Sequence, residues 1–221
     1  MVQYKLQFLM FLFTIVEQLS NAVPQKVLLT VYYESKCPDS KSFILKQLEP
    51  TMQHLQDQIK LIFVPFGKSR SINYGDEGFE CQHGPAECLG NIVQDCSLHL
   101  LNERSDKEKL AYVACEMDTE AGSQGRYDCV ENAKLSSAEV EHCVYSGKGT
   151  VLQLASEYYT NLVTPKFVPT VTLNGCRLRD PSGFHPRIGQ GNKKSQHQTA
   201  DRFGIGWHVK PSIQVIITNM T

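Results

Sequence analysis

The stretch Val27 to Pro50, VLLTVYYESKCPDSKSFILKQLEP, sets the frame for the whole chain. VLLTVYY is a nearly unbroken apolar, β-rich run of the kind that forms a strand buried on both faces. After Cys37 comes Pro38, which suits the first position of a helix, and Asp39, which suits the positive end of the helix dipole. Phe43, Ile44 and Leu48 keep helical spacing up to Pro50, where the helix is expected to break or restart. Ile59 to Val64 reads as a second strand, closed by Pro65. Strand, helix and strand within about 40 residues make a βαβ unit.

Further on, KFVPTVTLNGCRL (166–178) carries a β-rich run from Val168 to Leu173 and then Asn174-Gly175, a strong two-residue hairpin signal. A Val-Pro-Thr strand after a βαβ unit with a cysteine at its first helix resembles the later half of a thioredoxin-like domain. In that fold a cis-proline before this strand faces the active-site cysteine, and Pro169 is the matching position. Proline is the residue for which a cis bond is cheap. A trans proline at the first residue of a strand is the alternative.

Between these halves lies a polar connection, Phe66 to Glu80, followed by a helical pattern from Asn91 to Leu162. Leu110, Val113, Ala114 and Met117 follow i, i+3, i+4, i+7 spacing, as do Val151, Leu154, Ala155 and Tyr158, and both stripes are expected to face the core. Ser136 with Glu139 suggests a capping box for a helix containing Val140, Cys143 and Val144. Six of the eight cysteines crowd into this region: Cys81, Cys88, Cys96, Cys115, Cys129 and Cys143. They are enough for three disulfides, with about 15 connectivities open.

The densest motif is CQHGPAECLGNIVQDC (81–96). Cys81, Gln82, His83, Gly84, Glu87, Cys88, Asn91 and Cys96 match C-Q-H-G-x2-E-C-x2-N-x4-C at every fixed position. On this motif the chain resembles the gamma-interferon-inducible lysosomal thiol reductase family, from about Val27 to Leu178. The resemblance implies an α/β, thioredoxin-like domain (23–178) with a helical, disulfide-stapled insertion at about 81–162. It also implies reduction of protein disulfides in an endosomal, lysosomal or extracellular setting, with no cofactor beyond an external thiol such as cysteine or glutathione.

The chemistry centres on Cys37. A thiol attacks disulfides as its thiolate, and an ordinary cysteine ionises with a pKa of about 8.5. A helix N-terminus favours the anion, while Asp39 opposes it by like-charge repulsion. The fourth position of Cys37-Pro38-Asp39-Ser40 is serine, which can hydrogen-bond a thiolate but cannot attack a mixed disulfide. The expected chemistry is therefore monothiol, with an external thiol releasing the product; a secreted binding protein or thiol trap of the same fold is the alternative. Cys-x-x-Ser sites occur in branches of the family.

With six cysteines paired among themselves, Cys37 and Cys176 remain. A strand of about five residues carries Cys176 roughly 17 Å beyond Pro169, too far for a bridge to Cys37. A zinc site at His83 with Cys81, Cys88 and Cys96 lacks the close paired knuckles of structural zinc motifs, so no metal is expected. His83 is expected to organise its loop by hydrogen bonding, Gly84 to allow positive φ, and Glu87 and Asn91 to cap the following helix.

A net charge of −1 gives no sign of a nucleic-acid partner. Residues 1–22 read as a signal peptide: Lys5, the apolar run Leu6 to Val16, then Ser20-Asn21-Ala22. That run is too short to span a membrane. The chain is thus placed in the secretory pathway, where disulfides persist. Oligomeric state is open. Residues 179–221 lack the amphipathic helix expected to close the fold, and read either as a flexible basic extension or as a foreign end from an alternative transcript or faulty gene model. Asn219 stands in a glycosylation sequon.

Overall fold

A computed structural model of the chain describes residues 25–177. The signal peptide, the 179–221 tail and Asn219 lie outside the described residues. Strand β1 (Val27–Tyr33) is central, with Leu29, Val31 and Tyr33 fully buried. The connection that follows is helical throughout: α1 (Pro38–Phe43), a wider π turn (Ile44–Leu48) and α2 (Glu49–Leu55). Pro50 does not break it. The π turn stands just before the proline, and the Glu49 amide donates to Ile44 five residues back, which relieves the clash a proline ring makes with the carbonyl at i−4. Strand β2 (Ile59–Pro65) then pairs in parallel with β1, from Val27 opposite Ile59 to Tyr33 opposite Pro65.

The expected polar connection contains a small antiparallel ribbon, β3 (Arg70–Ser71) with β4 (Phe79–Glu80), too short to show any alternation in sequence. Five helices follow: α3 (Pro85–Leu100), α4 (Asp106–Thr119), α5 (Asp128–Asn132), α6 (Ser137–Tyr145) and α7 (Gly147–Val163). Ser136 caps α6, accepting from the Glu139 amide, and a full capping box opens α4 at Ser105 and Glu108. Disulfides join Cys96 to Cys143, tying α3 to α6, and Cys115 to Cys129, tying α4 to α5. Cys81–Cys88 closes the loop at the start of α3.

The chain returns to the sheet as β5 (Thr170–Leu173), antiparallel to β1, and turns through Asn174-Gly175 into β6 (Cys176–Arg177). Both turn residues have positive φ, 49° and 80°, as a tight hairpin demands. The fourth strand thus begins at Cys176, because the two-residue turn folds the chain straight back. The order β2-β1-β5-β6, with only β1 and β2 parallel, is that of a thioredoxin-like domain carrying a helical insertion. Among the described residues no helix is long and apolar enough to cross a membrane.

The α4 stripe of Leu110, Val113, Ala114 and Met117 is buried as expected. The α7 stripe is not: Val151 and Tyr158 are 64% and 60% exposed, and the buried face carries Gln153, Ser156 and Thr160. The reason lies on α3. Asp95 is buried there, and it accepts hydrogen bonds from Ser156 Oγ (2.9 Å) and Gln153 Nε2, which also donates to the Pro65 carbonyl (3.0 Å). Leaving a buried carboxyl without partners costs more than exposing a valine and a tyrosine ring, so the polar face of α7 turns inward.

Burial pushes the Asp95 carboxyl up to about 8, although both hydrogen bonds pull it down, and burial likewise raises Glu116 to about 6. An unfolded aspartate ionises near 3.8, so between that value and about 8 the folded chain holds a proton that the unfolded chain has lost. This contribution to stability is complete below the unfolded pKa and drains away as pH rises through the folded one. The disulfide-intact protein should therefore melt lower at about pH 8.5 than at about pH 5, by roughly 5 °C or more, and Asp95→Asn should shrink that difference. Thermal melts followed by circular dichroism across the pH range check both.

Candidate active site

The site forms where β1 ends. Backbone pairing with β2 stops at Tyr33, and Glu34-Ser35-Lys36 lead into Cys37, which is the N-cap of α1 with Pro38 directly after it. Cys37 is a free thiol, 6% exposed, with Sγ 3.8 Å from the Val168 carbonyl oxygen. The Val168–Pro169 peptide is cis. Cys37, at the start of α1, and Pro169, just before β5, are thus brought together. Cys176 is also free, but exposed and one turn away in the β5–β6 hairpin.

Ser40 is fully buried, and its hydroxyl accepts from the Glu34 amide (3.4 Å). It is therefore engaged with the loop backbone below Cys37. Lys36 pairs with Glu120 (2.5 Å) just past the end of α4, which holds the loop from the insertion side.

The 81–96 motif packs against this loop. Gly84 is the N-cap of α3 with φ +83°, and Pro85 follows it as the first helical residue. The helix runs so close to the loop that a Cβ on Gly90 would stand 2.6 Å from Ser35 Oγ and 2.1 Å from Ser123 Oγ. Ser35 Oγ donates to the Glu87 carbonyl (3.0 Å), and the Ser35 amide donates to Asn91 Oδ1 (2.9 Å). Asn91 is not a cap. It lies in the second turn of α3, fully buried, and supplies the acceptor that the loop amide requires.

Glu87 does serve the helix start, accepting from the His83 amide (3.1 Å), but its other oxygen meets His83 Nδ1 at 2.5 Å. The same imidazole nitrogen is 3.4 Å from Glu34 Oε2. Glu34 is fully buried, held by the Lys68 amide on Oε1 (2.7 Å), and burial pushes its carboxyl above the usual range. Gln82 is exposed. Cys81, Cys88 and Cys96, once candidate zinc ligands, are each in a disulfide.

Sequence reasoning missed Glu34, Ser35 and Gly90. A charged residue placed directly after an apolar strand and three before Cys37 was a visible signal for Glu34. Nothing in the sequence marks Ser35 or Gly90, whose roles arise from a helix approaching the loop about 50 residues later in the chain.

A family model described as gamma interferon inducible lysosomal thiol reductase matches residues 28–133. The Gamma-interferon-inducible lysosomal thiol reductase-like protein of Anopheles gambiae is 38% identical over 160 residues, covering 66% of this chain and 66% of that protein. GILT-like protein 2 of Drosophila melanogaster is 31% identical, covering 71% of this chain and 73% of its own length. The chain thus spans just under two thirds of the mosquito protein. Among solved structures, oxidised BdbD from Bacillus subtilis superposes with a TM-score of 0.50 at 10% identity, over 72% of this chain and 81% of that one. That likeness concerns the fold alone.

Removing the Asn91 acceptor orphans the buried Ser35 amide. Asn91→Ala should cost about 1–3 kcal/mol in urea denaturation. It should also speed alkylation of Cys37, resolved from Cys176 by peptide mass spectrometry, because the loop that shelters the thiol loosens.

Proposed function

The chain belongs to the gamma interferon inducible lysosomal thiol reductase family, and from that premise we propose that it reduces protein disulfides through Cys37 by a monothiol route. The observation that carries the reading is the free thiol of Cys37 at a helix N-cap, beside the Val168-Pro169 strand, in a domain whose insertion cysteines are all paired.

The Cys37 thiolate attacks one sulfur of a substrate disulfide; a Cys37–substrate disulfide forms, and the other substrate sulfur leaves as a thiolate. With Ser40 at the fourth position, no neighbouring thiol can displace it. An external thiol such as cysteine or glutathione attacks the Cys37 sulfur and frees the second substrate thiolate. A second external thiol then regenerates Cys37 and leaves as the oxidised dimer. Two external thiols are oxidised for each substrate disulfide reduced. The family's name points to a lysosomal or secretory setting, in keeping with the signal peptide read at residues 1–22.

A second reading follows from Ser40: without a resolving thiol, the protein acts as a trap that binds one partner through Cys37 and stops.

Reduction of a disulfide-bonded protein at about pH 5 with excess free cysteine separates the two. Turnover should continue as cysteine is supplied, fall to background in Cys37→Ala, and rise on the order of tenfold in Ser40→Cys, where a tethered thiol replaces a diffusing one. Equal background rates for the unsubstituted protein and Cys37→Ala remove the enzyme reading. One equivalent captured without turnover establishes the trap.

A further inference from the structure

Two carboxylates and one imidazole converge beside the Cys37 loop in a way that neither helix capping nor thiol chemistry requires. Glu34 and Glu87 side chains are both fully buried, and the His83 side chain between them is 30% exposed. Each carboxylate has one oxygen fixed by a backbone amide: Glu34 Oε1 by Lys68 (2.7 Å) and Glu87 Oε1 by His83 (3.1 Å). The two remaining oxygens both turn to His83 Nδ1, at 3.4 and 2.5 Å. A neutral imidazole nitrogen satisfies one of them at most. Glu34 Oε2 is buried without a hydrogen-bond donor.

We propose that Glu34, His83 and Glu87 form a binding site for a divalent first-row cation, zinc foremost. One atom from each residue can be chosen so that all three lie within 4.8 Å of one another. A tetrahedral zinc with ligands at about 2.0–2.1 Å separates those ligands by roughly 3.3 Å; the His83–Glu34 spacing of 3.4 Å already matches, and the Glu87 oxygen, at 2.5 Å, stands under about 1 Å too close to Nδ1. Two carboxylates neutralise a dication, and the donor set of one imidazole and two carboxylate oxygens suits zinc and manganese. The pinned oxygens are the outer-shell support that holds metal ligands in place. Cys81–Cys88 closes the loop carrying both His83 and Glu87, and the Gly67 backbone packs so tightly on Glu34 that an added Cβ would lie 2.3 Å from its Cγ. The ligands come from β1's end and from the 81–96 motif, so a bound cation would fasten that motif to the Cys37 loop by a second means.

The test uses full-length, disulfide-intact protein with Cys37→Ala and Cys176→Ala, since free thiols bind zinc themselves. Zn²⁺ and, separately, Mn²⁺ are titrated calorimetrically at pH 7, with thermal melts in parallel. We expect zinc binding with a rise in melting temperature, and the loss of one equivalent and of that rise in both His83→Ala and Glu34→Gln. Histidines elsewhere in the chain contribute equally to every variant and do not alter the difference. His83 is partly exposed, so His83→Ala carries the test should Glu34→Gln not fold. Identical stoichiometry and melting shifts in parent and His83→Ala overturn the proposal, as does the absence of binding at millimolar metal; the cluster then only braces the motif by hydrogen bonding. Binding is read without turnover, so its failure leaves the thiol chemistry of Cys37 untouched, and the reverse holds too.

Discussion

The hydrogen bond from the Ser35 amide to Asn91 Oδ1 is the constraint on which the site depends. A buried backbone N–H must find an acceptor, and at the end of β1 the strand ladder no longer supplies one. Meeting that need with a side chain from α3 fixes the rotation of the helix, and Gly90 lets it come close enough. Once the helix is seated, Ser35 Oγ reaches the Glu87 carbonyl, Glu87 faces His83, and Asp95 on the next turns of α3 meets α7. The insertion is therefore part of the architecture that holds the Cys37 loop, rather than an appendage to a finished domain.

The polar seams of the insertion follow a common logic. Asp95 and Glu116 are buried carboxyls raised by desolvation, and each is held mainly by local donors. Such groups are tolerated best when protonated, so the fold is matched to acid. This agrees in direction with the setting the family name suggests, and it arises from packing independent of the chemistry at Cys37.

Features set by near neighbours in sequence were legible. The parallel βαβ unit, the Asn174-Gly175 hairpin and the helix opening at Cys37-Pro38 all follow from local patterns, as does the cap at Ser136. The fold class was readable for that reason. Pro50 misled because a π turn can carry a helix past a proline, and the α7 stripe misled because apolar periodicity does not reveal a buried Asp95 on another helix. At the site, Pro169 was expected to face Cys37 and does, but the packing of the 81–96 motif against the Cys37 loop was not visible. Asn91 looks like a capping residue until α3 is laid against the Ser35 loop, a contact that no local spacing encodes.

The three bridges differ in shelter. Cys96 and Cys143 are 0% and 5% exposed, so both ends of that disulfide are sealed in the core, whereas in Cys115–Cys129 only Cys129, at 1%, is so enclosed. Thiol exchange requires in-line approach to a sulfur, and burial of this kind blocks that approach kinetically whatever the ambient redox potential. Cys81–Cys88, whose more buried member is 9% exposed, is the least sheltered of the three. Its opening would release His83 and Glu87 from one closed loop while leaving the helical scaffold stapled, so over-reduction would strike the motif long before it reached the fold.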